Sequence, residues 1–139
     1  QLTQRGIPVC AHLGLLPQSV NKLGGYRVQG RDDDGATQLI EDAKIVEQAG
    51  ADLVVLECVP AELASRISKA VDIPVIGIGA GADCDGQVLV LYDMLGLSIG
   101  KRPRFSHDFL ADTGAIPAAI TKYVQDVKSG QFPTSEQQY

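Results

Sequence analysis

Basic residues are scarce in this sequence. The 139 residues include 12 Lys and Arg against 17 Asp and Glu, which gives a formal net charge of −5. A nucleic-acid surface needs basic side chains clustered on one face, so we expect no nucleic-acid partner. The one basic cluster, Lys101–Arg104, is typical of a solvated loop, with attraction of an anionic substrate tail as the functional alternative.

Long apolar runs and paired cysteines are also missing. No hydrophobic run approaches the roughly 18 residues of a membrane span, and no charged start followed by an apolar stretch indicates a secretory signal. The three cysteines are far apart and form no C-x-x-C motif. An odd number of isolated cysteines is typical of a reducing compartment, so we expect a cytoplasmic protein without a membrane partner.

Two kinds of segment alternate along the chain, of which 45% is hydrophobic. Short apolar runs rich in β-branched residues predict strands, and longer runs with apolar residues at helical spacing predict helices. The predicted strands are Ile7–Leu13, Leu53–Cys58, Ile73–Ile78 and, more weakly, Leu95–Ile99. The predicted helices are Thr37–Ala49, Pro60–Val71, Asp85–Leu95 with Asp85 as its cap, and Ala115–Lys128.

This alternation predicts an α/β fold made of parallel βαβ units. The units resemble consecutive units of a (β/α) barrel, which needs eight units and about 250 residues, and an open doubly wound sheet is the competing architecture. We therefore expect residues 1–130 to form about four units, the C-terminal half of one barrel domain. Because the chain begins at Gln1 rather than at methionine, we expect the other half to be missing. Residues 131–139 are predicted to be a polar tail, frayed or ordered only against a partner.

Glu57 is the strongest catalytic candidate. It ends the apolar run Leu53–Leu56, and strand periodicity places Leu53, Val55 and Glu57 on one face. A charged group rarely ends a buried strand unless it is paired or functional, and barrel active sites lie at the carboxyl ends of strands. We predict that Glu57 is a general base, whose pKa partial burial would raise, with a salt-bridged carboxylate as the alternative.

His12 lies late in the first predicted strand, one strand before Glu57. The sequence leaves two roles equally open for it, a hydrogen-bonded core histidine and a functional residue. His107, in a polar segment, is predicted to be a surface or helix-entry residue.

The glycines of Gly77–Ala82 resemble a dinucleotide fingerprint, but the first lies inside a strand and no acidic residue ends a second strand at the required distance. Gly79 and Gly81 are instead candidates for walls of a ligand pocket, with steric relief in a crowded region as the alternative. The acidic clusters Asp32–Asp34 and Asp83–Asp85 do not continue as calcium loops, and no cluster has zinc-site spacing. Asp34 and Asp85 are better explained as turn or cap residues.

Several long phrases together resemble the ketopantoate hydroxymethyltransferase family. They are IPVCAHLGLLPQSVNKLGGYRVQGR, LVVLECVPAELASRI, IPVIGIGAGADCDGQVLVLYDMLG and FLADTGAIPAAITKYVQDVKSGQFP. The resemblance runs nearly end to end but covers only the second half of the family's chain.

The resemblance implies a barrel of the phosphoenolpyruvate/pyruvate-domain type. It also implies transfer of a one-carbon unit from the co-substrate 5,10-methylenetetrahydrofolate to 3-methyl-2-oxobutanoate in pantothenate biosynthesis, giving ketopantoate (2-dehydropantoate) through an enolate stabilised by Mg²⁺. Glu57 matches the family's proton acceptor, His12 a substrate-pocket histidine, and Gly79 and Gly81 the pocket wall. The family's metal ligands belong to earlier strands, so the resemblance implies no metal ligand in this chain and places the ligands in the missing half. The family also forms homo-oligomers.

Two alternatives remain at this point. One is a non-catalytic half-barrel that binds or assembles, which the apolar run Val88–Leu91 and open sheet edges would suit. The other is a related Mg²⁺-dependent 2-oxo acid lyase on the same barrel. On the transferase reading, we expect this chain to be inactive without the missing half.

Overall fold

A computed structural model describes residues 1–139 and contains one four-stranded parallel sheet with the strand order β1-β2-β3-β4. The strands are β1 (Cys10–Gly14), β2 (Leu53–Glu57), β3 (Val75–Ile78) and β4 (Gly86–Gln87). The helices are α1 (Asp33–Gln48), α2 (Ala61–Ser68), α3 (Leu91–Met94), α4 (Phe109–Thr113) and α5 (Ile116–Lys128). Short 3₁₀ turns cover Thr3–Arg5, Pro17–Ser19 and Ser135–Gln137. The prediction of an α/β fold with a parallel sheet is confirmed.

One face of the sheet is sealed by α1 and α2. Alternate residues of the strands point to this face, so Val54, Leu56 and Val75 are completely buried there. The helices contribute small and branched side chains that fill the space, including Ala43, Leu63, Ala64 and Ile67. Burying a side chain of leucine size contributes about 1.5–3 kcal/mol, so this layer holds the sheet and helices together.

The opposite face carries the remaining, alternate side chains of each strand. His12 lies beside Val55 and Gly14 beside Glu57 in the parallel register, so these residues share the face turned away from the helices. Val55 is only partly buried, against a second small cluster formed by Leu15, Cys58, Ile78 and Phe105. This face is therefore the accessible side of the sheet.

The predicted helix Asp85–Leu95 is wrong. The Asp85 carboxylate does not cap a helix but accepts the Val75 N–H at 2.8 Å, at the start of β3. Gly86 then pairs with Ile76, and the Val88 N–H donates to the Gly77 carbonyl at 3.0 Å. Because the sheet ladder takes up this backbone, only Leu91–Met94 is left to form a helix.

The weak strand predicted at Leu95–Ile99 is also wrong. The Leu95 N–H donates to Leu91 and the Leu97 N–H to Tyr92, which continues helical turns instead of a ladder. Ile99 is fully exposed, so it has no sheet partner to cover it.

Helix ends agree better with the sequence. The predicted helix Ala115–Lys128 is confirmed as α5, and Gly50 follows α1 with φ 91°, as a terminating glycine should. The start of α1 was predicted too late, because Asp32 caps it by accepting the Gly35 N–H at 2.7 Å.

Residues 131–139 pack against their own chain, so the expectation of a frayed or partner-dependent tail was wrong. Phe132 is 5% exposed and lies 5.4 Å from the Phe109 ring and 5.7 Å from the Tyr123 ring, measured between centroids. An apolar anchor of this size within a polar segment explains why the tail stays on the surface of the fold. None of the helices has both the length and the apolar character that crossing a bilayer demands.

Candidate active site at the carboxyl edge of the sheet

Glu57 and His12 meet at the carboxyl edge of the sheet. Glu57 is the last residue of β2, and His12 lies on the neighbouring strand β1, which runs in the same direction. The Glu57 Oε2 and His12 Nε2 atoms are 3.1 Å apart, within hydrogen-bonding distance. The two residues that the sequence singled out separately, 45 positions apart, therefore form one pair.

The surroundings of Glu57 shift the pKa of its carboxyl in two opposing directions. Burial raises its pKa above the ordinary value, and the charge and hydrogen bond of His12 partly offset that rise. The Glu57 side chain is 13% exposed and that of His12 34%, so the pair is shielded but reachable from the open face. A carboxylate in this setting is a stronger base than one in water, while its partner keeps it ionisable. Glu57 is thus a paired carboxylate, and its role as a base stays a prediction.

The chain makes an unusual turn directly after Glu57. Cys58 has φ 50°, a left-handed conformation that non-glycine residues seldom adopt and that is enriched at functional sites. Its N–H donates to the Ile78 carbonyl and its own carbonyl accepts the Gln29 N–H, both at 2.9 Å. Burial raises the pKa of the Cys58 thiol to about 12, so the thiol is neutral at physiological pH and is not a nucleophile.

Gly14 is a second residue that the sequence did not single out. It lies opposite Glu57 with φ 84°, and a Cβ placed there would collide with the Glu57 carbonyl oxygen. The next residue, Leu15, donates its N–H to that same carbonyl at 2.8 Å. Gly14 therefore lets β1 approach the backbone of the proposed base closely.

Gly79 and Gly81 follow β3 at the same edge, both with left-handed backbones (φ 62° and 82°). A Cβ on Gly79 would lie 2.7 Å from a ring carbon of Phe105, and one on Gly81 would lie 2.5 Å from the Cβ of Ala61. Crowding and backbone geometry thus account for both glycines. Their role in substrate binding stays a prediction.

The remaining candidates have structural partners. The His107 Nε2 lies 2.7 Å from the Asp112 Oδ2, both exposed, at the entry of α4. Arg102 pairs with Asp108 and Arg104 donates to the Glu136 carbonyl, so two cations of the basic cluster hold neighbouring chain segments.

The acidic clusters also serve the fold, since Asp32 caps α1 and Asp85 binds the backbone of β3. No group of three or more His, Cys, Asp or Glu side chains lies close enough together to hold a metal ion. The carboxylates of Asp32 and Asp85 are already engaged by backbone N–H groups, and the absence of a metal ligand from this chain stays a prediction.

Comparison with known proteins agrees with the resemblance. The family model described as ketopantoate hydroxymethyltransferase matches residues 1–135. A 3-methyl-2-oxobutanoate hydroxymethyltransferase of Marinobacter nauticus is 63% identical over 135 residues, 97% of this chain and 51% of the relative. Proteins of the same name from Nitrosococcus oceani and Shewanella loihica are 62% and 60% identical, covering 99% and 98% of this chain and 52% of each relative.

The chain thus spans about half the length of the curated relatives it matches. With the match extending over nearly all of its residues, the chain belongs to the ketopantoate hydroxymethyltransferase family.

Proposed function

We propose that this chain supplies the base-carrying, C-terminal half of an enzyme that hydroxymethylates 3-methyl-2-oxobutanoate. The co-substrates are 5,10-methylenetetrahydrofolate and water, and the product is 2-dehydropantoate, on the route to pantothenate. The observation that carries the proposal is the Glu57–His12 pair, a shielded carboxylate with a raised pKa on the accessible face of the sheet. Membership of the family supports the choice of reaction.

Glu57 acts as the general base in this proposal. Its carboxylate takes the proton from C3 of the 2-oxo acid, and the electron pair of the broken C–H bond is left on the substrate as an enolate. Water displaces tetrahydrofolate from the methylene carbon: both C–N bonds break, the two nitrogens take up the two protons of the water, and the carbon is left at the oxidation level of formaldehyde. The enolate pair forms the new C–C bond to that carbon, and its oxygen takes up the proton held by Glu57 to become the hydroxyl of the product. Partial burial favours the first step, because a carboxylate stripped of water holds the incoming proton more tightly.

His12 has two tasks in the proposal. Its hydrogen bond fixes the direction of the Glu57 carboxylate, and its ring, one third exposed, forms part of the substrate pocket. Gly79 and Gly81 form the backbone wall of that pocket at the end of the next strand. The raised pKa of Glu57 and the partial exposure of the His12 ring support this arrangement.

We propose that Mg²⁺ belongs to the complete enzyme, where it would make the C3 proton more acidic and stabilise the enolate. Because this chain offers no fitting ligand set, its ligands are proposed to come from the part of the relatives that this chain does not cover. No step assigned above to Glu57 or His12 runs through the metal.

The complete catalytic unit is proposed to be an eight-stranded barrel of the phosphoenolpyruvate/pyruvate-domain type, with this sheet as its second half. Four parallel strands in sequential order, with helices on one face, support this. On this proposal, activity requires the counterpart of the relatives' other half. We also propose a cytoplasmic homo-oligomer. The partly exposed apolar side chains of Ile116, Ile120 and Val124, which share one face of α5, support an interface between copies.

A complementation assay tests the proposal. The matching half of the Marinobacter nauticus relative is replaced by this chain, and formation of 2-dehydropantoate is measured with Glu57 intact or changed to Gln. We expect Glu57→Gln to lower turnover by a factor on the order of 10²–10⁴, as for a lost general base. Glu62→Gln makes the same chemical change at an exposed position in the first turn of α2 and should leave turnover unchanged.

Two results would count against the proposal. Near-native turnover of a folded Glu57→Gln chimera would remove Glu57 from the mechanism. Robust turnover by the 139-residue chain alone would overturn the requirement for the other half.

A further inference from the structure

The last residue of the described chain lies at the edge of the sheet that carries Glu57. The Tyr139 carbonyl accepts the N–H of Ala61, the first residue of α2, at 2.8 Å. Ala61 follows Glu57 by only three intervening residues, Cys58–Pro60. The tail is thus hydrogen-bonded to the segment that leads directly away from the proposed base.

The Tyr139 side chain is fixed as well as its backbone. Its ring meets Phe105 edge-on, with centroids 6.5 Å apart and planes at 69°. The Arg104 guanidinium carbon lies 5.7 Å from the ring centroid, and the Arg104 Nε donates to the Glu136 carbonyl at 2.8 Å. The Arg104 side chain therefore contacts the tail at two points, the backbone carbonyl of Glu136 and the ring of Tyr139, the latter through a cation–π contact.

Phe105 connects this arrangement to the active-site turn. It is 8% exposed and packs in one cluster with Leu15, Cys58 and Ile78, to which Tyr139 adds its ring. Burial raises the pKa of the Tyr139 hydroxyl, so the side chain enters this cluster as a neutral phenol at physiological pH. Both the carbonyl and the ring of Tyr139 therefore touch the surroundings of the Cys58 turn.

The turn itself needs such support. Cys58 holds a left-handed conformation that its Cβ disfavours, and such conformations persist only where neighbouring contacts enforce them. Two contacts come from the sheet edge and the preceding loop, namely the hydrogen bonds to Ile78 and Gln29. The third contact lies where the chain enters α2, and it is the hydrogen bond from the Ala61 N–H to the Tyr139 carbonyl.

We propose that Tyr139 is a positioning residue for Glu57, which clamps the Cys58–Ala61 turn and so fixes the direction of the proposed catalytic carboxylate. The inference rests on the proposed function of Glu57 as the base. Tyr139 itself does not touch the reacting atoms. It acts through the backbone of the turn.

The first test uses the 139-residue chain and needs no activity. Amide hydrogen exchange at Ala61 and Cys58 is measured in the native chain and in the variants Tyr139→Ala, Tyr139→Phe and Tyr92→Ala. We expect Tyr139→Ala to accelerate exchange at both amides by about tenfold or more, the effect of loosening one hydrogen-bonded anchor. Tyr139→Phe keeps the ring and carbonyl and should exchange at the native rate. Tyr92→Ala, the same truncation at an exposed tyrosine of α3, should too.

The second test uses the complemented enzyme described above. We expect Tyr139→Ala to lower kcat about tenfold with KM little changed, because the base is misdirected while the substrate pocket is retained. Tyr139→Phe should restore native kcat. Circular dichroism of each variant checks that it is folded. Arg104→Gln removes the cation–π contact to the Tyr139 ring and the hydrogen bond to the Glu136 carbonyl but leaves Tyr139 intact, so it should give an intermediate loss.

The outcomes separate the two proposals. Unchanged exchange in Tyr139→Ala would overturn the clamp whatever the activity. Faster exchange with native kcat would overturn the positioning role and leave Tyr139 as a structural anchor. Faster exchange and lower kcat, together with native turnover of Glu57→Gln, would instead refute the proposed base, and the positioning inference with it.

Discussion

Replacing Gly79 with alanine tests whether crowding or ligand binding explains the glycines at the sheet edge. Gly79 has φ 62°, and a Cβ added there would lie 2.7 Å from the Phe105 Cδ1 and 3.0 Å from its Cγ. Real Cβ atoms do not approach ring carbons so closely. Because Phe105 is buried, its ring has to move into occupied space to make room.

The expected cost has two parts. A non-glycine residue in the left-handed region costs about 1–2 kcal/mol. Forcing an extra methyl group into a packed cluster costs about 1–3 kcal/mol more. Gly79→Ala should therefore lower the free energy of unfolding by about 2–5 kcal/mol. Gly130→Ala is the matched control, since Gly130 has φ 71° but no atom within 4 Å of the added Cβ, and it should lose only about 1–2 kcal/mol.

Urea unfolding of the 139-residue chain, followed by circular dichroism, measures both values. A double-mutant cycle with Phe105→Leu isolates the contact, because the smaller side chain leaves room for the methyl group. We expect Gly79→Ala to cost about 1–3 kcal/mol less in the Phe105→Leu background. An equal loss of unfolding free energy in Gly79→Ala and Gly130→Ala, or no coupling to Phe105, would refute the crowding explanation. Either result would favour the alternative that Gly79 leaves room for a ligand.

Three further predictions concern the pair and the core. His12→Ala should raise the pKa of Glu57, since His12 lowers it in the native chain. Because a base must be deprotonated, the low-pH loss of turnover in the complemented enzyme should then shift to higher pH, and an unshifted profile would contradict the pairing. Asp85→Ala should cost about 1–3 kcal/mol in urea unfolding, because it leaves the first N–H of β3 without its acceptor. Leu56→Ala, in the completely buried layer, should cost about 2–5 kcal/mol, while Leu97→Ala, 53% exposed, should cost well under 1 kcal/mol.

Sequence patterns predicted the elements that have strong hydrophobic periodicity or end at a local signal such as a glycine. The apolar run Leu53–Leu56 gave β2, and helical spacing with a following glycine gave α1. The run Val88–Leu91 misled the prediction, because its apolar residues indicated a covered helix, whereas Val88, Val90 and Leu91 are 41%, 54% and 51% exposed and only Leu91 is helical. The local structure before this run is set by the contacts of Asp85 and Gly86 with the backbone of β3. Hydrophobic periodicity carries no information on such tertiary contacts.

The sequence singled out Glu57 and His12 as candidates but did not predict the contact between them. Glu57 stood out because a charge ends an apolar strand, and His12 because it precedes the end of another. Their 3.1 Å contact depends on the register of two strands that are separated by the whole of α1. No sequence pattern predicted the left-handed backbone of Cys58 or the contact of Tyr139 with α2, because tertiary packing determines both. Phe132, apolar within a polar tail, was the one available signal that the tail is anchored.

The packing that determines the fold also determines where the Glu57 charge lies. Val54 and Leu56 are completely buried against the helices, and strand geometry then forces Glu57 to the opposite face. A slip of β2 by one residue would turn Glu57 into that apolar layer and Val54 and Leu56 out of it, at the combined cost of a buried charge and two exposed side chains. The register is therefore strongly specified. It follows that the direction of the proposed base is set first by the hydrophobic layer on the far side of the sheet and only then refined by His12 and the Cys58 turn.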